Sequence, residues 1–169
     1  MNEGAERLRT LRTRLLSLAA VHADRRVTEE LAGAGARKWH YAVLATLDEF
    51  GPASQSRLSD RTRVYRSDLV AVLNELSGRG QIERAPDPAD KRRNLVRITA
   101  AGRRQLHTLD QLLAAVDDDV FAPLTPAQRA QLTDLLTILV DHHGNREDPH
   151  DRTARRHDRG PGGGDPRSR

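Results

Sequence analysis

One charged segment, residues 81–102, constrains the fold of this chain more than any other part of the sequence. It reads QIERAPDPADKRRNLVRITAAG, in which two short strand-forming runs flank a tip rich in proline, aspartate and basic residues. Proline and aspartate favour a turn, so residues 81–86 and 94–99 are predicted to pair as a β-hairpin. The Thr-Ala-Ala-Gly sequence that ends the segment predicts a helix capped by Thr99. The segment therefore indicates a hairpin that leads directly into a helix.

Two short helices are predicted immediately before this hairpin. Ser54 is placed to cap a helix over residues 55–62, and a turn at residues 63–65 leads into a second helix. The apolar residues of that second helix recur at helical spacing and are Leu69, Val72, Leu73 and Leu76. Such a pair indicates a helix-turn-helix unit, although taken alone it fits an ordinary αα-hairpin equally well.

The outward face of the second helix carries short side chains. At about 100° per residue, the positions opposite the apolar stripe are Ser67, Val70, Ala71 and Asn74, with Arg66 at the flank. Short side chains let a helix enter the major groove of DNA, where Ser and Asn can hydrogen-bond base edges. Three arginines suited to phosphate contacts precede this face: Arg57, Arg61 and Arg63.

The charge of the chain is unevenly distributed. Residues 55–104 contain 12 Lys or Arg and 6 Asp or Glu, whereas residues 105–143 contain one Arg and 6 Asp. A basic block of this kind is the electrostatic footprint of a phosphate-binding surface. Standing alone, the asymmetry fits a chance variation in surface charge equally well.

The hairpin tip concentrates positive charge in Lys91, Arg92 and Arg93. An arginine held by a neighbouring aspartate can be presented to a narrow minor groove, where the negative potential of DNA is strongest. Asp90 is therefore predicted to orient Arg92, which is the predicted minor-groove probe. The alternative is a solvated hairpin tip.

Further helices are predicted on both sides of this region. Apolar spacing predicts helices over residues 3–22, 39–50, 100–121 and 126–143, with residues 23–37 as a loop. The first of these helices and the last two are apolar along one side yet lie outside the compact helix-turn-helix unit. Pairing with a second copy of the chain would cover them.

Several classes of protein have no support in the sequence. No stretch approaches the roughly 20 apolar residues of a membrane helix, so a cytoplasmic location is expected. The chain has no cysteine, which excludes disulfides and thiol chemistry. Its 7 histidines form no chelating pattern, so no metal is expected, and no catalytic constellation indicates an enzyme. Residues 144–169 lack Leu, Ile, Val, Phe and Met and are predicted to be a disordered tail.

A small-molecule site is predicted near the start of the 39–50 helix. Trp39 and His40 lie there, and Arg26 precedes them in the sequence. An aromatic and cationic pocket would suit an aromatic or anionic effector. The alternative is that the aromatic residues belong to the core or to an interface.

From about Leu8 to His143, the residues resemble the MarR family of winged helix-turn-helix transcription regulators. The resemblance rests on the order of the elements, on Ser54-Gln55 followed by the helix-turn-helix with Arg66-Ser67-Asp68, and on the wing at residues 87–93 with its following Ile98-Thr99-Ala100-Ala101-Gly102. It implies a mainly α fold with a small β-wing, and a homodimer that binds a pseudo-palindromic operator in double-stranded DNA. It also implies regulation that is commonly exerted by a small ligand, so a repressor released by such a ligand is expected. No cofactor is expected.

The resemblance implies a role for each part of the chain, and at one position the sequence departs from the pattern of the family. Residues 1–22 and 103–143 are expected to form dimerisation helices, and residues 36–102 the DNA-binding lobe. Tyr65 stands where many relatives have an Asp that caps the recognition helix, so Asp68 is expected to favour that helix start. Tyr65 and Gln55 are expected to join the DNA contacts. The competing hypothesis is an architectural DNA binder or a helical interaction protein without a ligand response.

Overall fold

The computed structural model of the protein describes residues 5–87 and 94–144, and the chain divides after Pro123 into two compact units. None of the described helices is long and apolar enough to cross a lipid bilayer. The helices are α1 Glu6–Arg9, α2 Arg12–Gly33, α3 Lys38–Phe50, α4 Gln55–Thr62, α5 Arg66–Gly78, α6 Ala100–Val120 and α7 Pro126–Gly144. The strands are β1 Ala53–Ser54, β2 Ile82–Pro86 and β3 Asn94–Ile98.

The core of the first unit forms where α3, α4, α5, the sheet and α6 meet. Its most buried side chains include Leu44, Leu58, Leu69, Leu73 and Leu76. Burying a leucine side chain contributes about 1.5–3 kcal/mol relative to leaving it exposed, so this cluster is the main source of stability for the unit. The apolar stripe predicted for α5 is confirmed, since all four of its residues are buried in this core.

The sheet has three antiparallel strands in the order β1-β3-β2. Ile82 pairs with Ile98 and Pro86 with Asn94, which confirms the predicted hairpin strands. β1 was not predicted, because a strand of two residues has no periodicity of its own and depends on its distant partner, Val96. The hairpin tip, residues 88–93, lies outside the described residues.

The start of α6 is fastened to the start of β2. Thr99 Oγ1 accepts a hydrogen bond from the Gly102 amide (3.1 Å), which confirms Thr99 as the helix cap. The same hydroxyl donates to the Gly80 carbonyl oxygen (2.7 Å), and the Thr99 amide donates to that of Gln81 (3.0 Å). A Cβ on Gly102 would overlap the Gln81 carbonyl oxygen and lie 2.8 Å from Ile98 Cγ1. Glycine is thus required where helix and hairpin touch.

The prediction for residues 3–37 is wrong in its boundaries. The first helix does not run to His22: α1 ends at Arg9, and α2 continues through residues 23–33, which were predicted to form a loop. Ion pairs at helical spacing, such as Arg25–Glu29 (3.4 Å), support the continuation. It also carries Leu31, which is buried in a second small cluster with Leu109 of α6.

The second unit begins at Leu124, and its described part is dominated by α7. A capping box begins α7, since the Gln128 amide donates to Thr125 Oγ1 (3.3 Å) and the Thr125 amide donates to Gln128 Oε1 (2.9 Å). Large apolar side chains of α7 are exposed and comprise Leu135, Ile138, Leu139 and Val140. Residues 145–169, where a disordered tail was predicted, lie outside the described residues.

Candidate nucleic-acid interface

The turn between α4 and α5 is shaped by short side chains. Ser54 Oγ accepts from the Arg57 amide (3.3 Å) and caps α4, as predicted. Arg63 ends that helix in the left-handed conformation, with φ at 55°. Val64 is buried behind it, and Ser59 Oγ donates to the Val64 carbonyl oxygen (2.7 Å). These contacts fix where α5 begins and therefore how it is presented.

The predicted division of α5 into two faces is present. Leu69, Val72, Leu73 and Leu76 are buried, whereas the opposite face is exposed along Ser67, Val70, Ala71 and Asn74. Val70 is 43% exposed. The helix thus offers a smooth, exposed ridge of short side chains to solvent.

Exposed arginines surround the start of this ridge. Arg57, Arg61, Arg63 and Arg66 are all exposed. The Arg61 guanidinium lies 4.4 Å from the centre of the Phe50 ring, and Arg66 Nη2 donates to Ser56 Oγ (3.1 Å). These contacts restrain the guanidinium groups of Arg61 and Arg66, while both residues stay exposed.

Two further residues predicted to contact DNA, Tyr65 and Gln55, lie at the starts of α5 and α4. Tyr65 is the N-cap residue of α5 and is 45% exposed. Asp68 lies in the first turn of α5, where a carboxylate stabilises the positive end of the helix dipole. Gln55 is the first residue of α4. The four predicted wing residues, Asp90, Lys91, Arg92 and Arg93, lie outside the described residues.

One residue beside the ridge was missed by the sequence reasoning. Arg84 of β2 is exposed, and its Nη2 donates to Asn74 Oδ1 of α5 (2.9 Å). Residues two apart in a strand share a face, so Arg84 lies on the same face as the buried Ile82. This alternation was the signal in the sequence that could have placed Arg84 against the helices.

Glu75 ties the other side of α5 to the start of α3. His40 is 1% exposed, and its Nδ1 accepts from the Arg37 amide (3.2 Å). Nε2 must then carry the proton, which it donates to Glu75 Oε2 (3.0 Å). Arg37 Nη2 donates to the other Glu75 oxygen (2.5 Å), and Arg79 donates to the Gly35 carbonyl oxygen (2.5 Å). The C-terminal end of the ridge-bearing helix is thereby anchored.

These contacts change the pKa of two groups. Burial lowers the pKa of His40, and the charges of Arg79 and Arg37 lower it further, which outweighs the hydrogen bond with Glu75. For Glu75, desolvation alone would raise the pKa, but the hydrogen bonds and charges of Arg37 and His40 together lower it. His40 is therefore neutral and Glu75 is ionised near neutral pH.

We expect His40 to make the protein less stable in mild acid. The unfolded chain binds a proton on this histidine near its usual pKa of about 6.5, whereas the folded protein does so only at lower pH. The contribution of neutral His40 to the free energy of unfolding is fully present above the usual pKa of the unfolded chain. It is lost as the pH falls toward the pKa of the folded protein. Urea unfolding at several pH values should give a flatter dependence for His40→Gln. His107→Gln, on the exposed side of α6, should keep the wild-type dependence of unfolding free energy on pH. A dependence for His40→Gln equal to that of the wild-type protein would contradict this account.

The three residues predicted to bind an effector occupy different settings. Trp39 is 44% exposed, while the adjacent His40 is buried in the Glu75 contacts described above. Arg26 forms ion pairs with Glu29 and Glu30 of its own helix and with Asp119 of α6 (3.5 Å). The described contacts of Arg26 therefore join α2 to α6.

The chain is similar to known transcription regulators. The family model described as MarR family matches residues 36–93. A Thauera aromatica protein, named as a transcriptional regulatory protein for the hcr operon, is 34% identical over 99 residues, which cover 59% of this chain. The match spans 60% of that relative, which is less than two thirds of its length.

Solved structures resemble the chain over more of its length. A variant of Escherichia coli MarR in complex with operator DNA superposes with a TM-score of 0.67 and is 26% identical, over 76% of this chain and 92% of that one. CouR from Rhodococcus jostii, bound to p-coumaroyl-CoA, has a TM-score of 0.68 and is 25% identical, over 80% and 95% of the two chains. With its helix-turn-helix and its antiparallel sheet, the chain is similar to the MarR family of winged helix-turn-helix proteins.

Proposed function

We propose that this protein is a dimeric, sequence-specific DNA-binding transcription regulator rather than an enzyme. The observation that supports this most is the exposed ridge of α5, in which Ser67, Ala71 and Asn74 stand opposite a fully buried stripe. An exposed helix face of short side chains can approach base edges closely in a major groove about 12 Å wide. A MarR variant that is similar to this chain was solved in complex with operator DNA, which supports double-stranded DNA as the partner.

In the proposed complex, the arginines position the protein and the ridge reads the sequence. Arg57, Arg61, Arg63 and Arg66 would contact phosphates, together with Ser54, Gln55 and Tyr65 around the start of each helix. Asp90 would orient Arg92 in the minor groove, with Lys91 and Arg93 on the adjacent backbone. The lobe of residues 36–102 would thus grip one half-site.

A second copy of the chain is the proposed occupant of the exposed apolar faces. Along α2, Leu15, Leu18 and Val21 are 47%, 54% and 69% exposed, and α7 exposes Ile138 by 64%. Exposed apolar side chains grouped along a helix are characteristic of protein interfaces. We therefore propose that the helices of residues 1–22 and 103–143 form a homodimer that binds a pseudo-palindromic operator.

The regulator is further proposed to repress transcription until it binds an aromatic or anionic effector near Trp39, His40 and Arg26. CouR, which is similar to this chain, binds p-coumaroyl-CoA, an anionic ligand with an aromatic group. A ligand that binds only the folded protein stabilises it by about 2.7 kcal/mol when present at 100 times its dissociation constant. The melting temperature of the protein rises as a result. Thermal-shift screening with aromatic acids and their CoA thioesters should therefore yield at least one stabilising compound. Failure of the whole panel would count against this class of effector.

Loss of a single phosphate-binding arginine should weaken binding to all sequences alike. For Arg57→Ala and Arg61→Ala, we expect the slope of log affinity against log salt to fall in magnitude by about one, since one fewer counterion is released. Fluorescence anisotropy with operator and unrelated duplexes measures this slope. Arg25→Ala removes the same charge from α2, where Arg25 is 69% exposed, and should leave the slope unchanged. Equal slopes in all variants would argue against the phosphate assignment.

The alternative is an architectural DNA binder that coats duplexes regardless of sequence. A gel-shift panel should include DNA from upstream of the protein's own gene and unrelated duplexes of equal length and base composition. A regulator binds one fragment about 10³-fold or more tightly than the others at physiological salt. Equal affinity for every duplex would favour the architectural binder, and no shift at any concentration would reject both.

A further inference from the structure

We infer that Arg84 is a positioning residue that sets which bases Asn74 selects. The inference rests on the proposed function and extends it to a residue of the wing strand. Arg84 lies on β2, opposite Val96 of β3, and its guanidinium reaches α5 at the exposed ridge. No other residue of the sheet is described as hydrogen-bonded to that ridge among residues 5–87 and 94–144.

The chemistry of the two groups fixes how the Asn74 amide is turned. Arginine has five N–H donors and no acceptor, so only the Asn74 oxygen can face it at 2.9 Å. The NH₂ group of the same side chain must then point away from Arg84. An unrestrained asparagine could present either end to DNA, whereas this one is held as a donor.

An Asn74 side chain held in this orientation should favour a particular class of base. Asparagine reads adenine through both amide atoms, accepting from N6–H₂ and donating to N7. Here the oxygen already accepts a hydrogen bond from a cation, and the positive charge of that cation would also repel the amino group of adenine or cytosine. The NH₂ group instead matches acceptor edges in the major groove, of which guanine N7 and O6 form the densest pair. We expect one position in each half-site to favour guanine over cytosine because of this contact.

A double-mutant cycle on full-length protein separates positioning from a direct DNA contact. Binding sites are first selected by the wild-type protein from a random duplex pool, and affinity is then measured for guanine and cytosine at each position. Asn74→Ala identifies the position that Asn74 reads. At that position, Arg84→Ala should lower discrimination by about tenfold. In an Asn74→Ala background, Arg84→Ala should lower discrimination no further, because Arg84 acts through Asn74.

Asn74→Asp provides a second, independent readout. Aspartate keeps the acceptor for Arg84 but has no donor, so the preference for guanine should be lost, with cytosine, which offers an N4–H₂ donor, gaining most. Arg25→Ala controls for the loss of one positive charge and should leave every base preference unchanged. Circular dichroism confirms that each variant is folded.

The outcomes are distinguishable from failure of the proposed function. If the wild-type protein selects no sequence at all, the proposed function fails before Arg84 is tested. If it selects a site but Arg84→Ala changes only the salt dependence, Arg84 is a phosphate contact and the inference is overturned. Retention of the wild-type preference by Asn74→Asp would likewise overturn it.

Discussion

Replacing Gly102 with alanine is expected to lower the melting temperature by about 10 °C, which corresponds to about 3 kcal/mol for a chain of this length. In an exposed helix the same change would be mildly stabilising, by about 1 kcal/mol, because glycine is a poor helix former. Here the new Cβ would overlap a backbone oxygen, that of Gln81, and press on Ile98. Backbone cannot rotate away as a flexible side chain does, so the steric cost outweighs the helix propensity.

Gly33→Ala is the matched control for that result. Gly33 is the last residue of α2, and a Cβ there would meet nothing within 4 Å. Its melting temperature should equal or slightly exceed that of the wild-type protein in differential scanning calorimetry. A Gly102→Ala protein as stable as the Gly33→Ala protein would show that α6 and the hairpin are not in the close contact described here.

Ala71→Glu is expected to abolish specific DNA binding, with a loss of about 100-fold or more in operator affinity and no loss of fold. Ala71 is exposed in the middle of the α5 ridge, so a longer side chain can be accommodated in the free protein. In the proposed complex it would place a carboxylate in the major groove between two phosphate backbones. Like charges brought together at an interface cost several kcal/mol.

The control for this variant carries the same change of charge and size elsewhere. Ala32 is exposed near the end of α2, outside the proposed DNA-binding lobe and outside residues 1–22 and 103–143, which are proposed to dimerise. Ala32→Glu should bind the operator with about wild-type affinity after correction for one unit of net charge. If the two variants bind equally well in anisotropy titrations, α5 does not enter the groove.

The elements that sequence alone predicts are those whose apolar spacing reports their burial. In α5, all four members of the stripe, from Leu69 to Leu76, are buried, so the periodicity indicated both the helix and its outward face. Short caps such as Ser54 and Thr99 also act within three residues of themselves and were predicted correctly.

The features that were missed depend on partners far away in the sequence. The first helix was predicted to end at His22, although α2 continues to Gly33. The continuation has one buried residue, Leu31, and therefore no apolar stripe that the sequence would reveal. β1 exists because β3 pairs with it, and the Arg84–Asn74 contact joins a strand to a helix. The role of His40 in holding Glu75 likewise follows from the packing of α3 against α5, which local spacing does not encode.

Footprinting on DNA from upstream of the protein's own gene tests the central claim most directly. A dimer that places one α5 ridge in each of two successive major grooves should protect a single site with two-fold symmetry. The centres of its half-sites should lie about 10 base pairs apart, or a multiple of that spacing. The same fragment should show no protected site with Ala71→Glu at equal concentration. Uniform protection along the whole fragment, or an unchanged site with Ala71→Glu, would contradict the assignment of α5 as the sequence-reading helix.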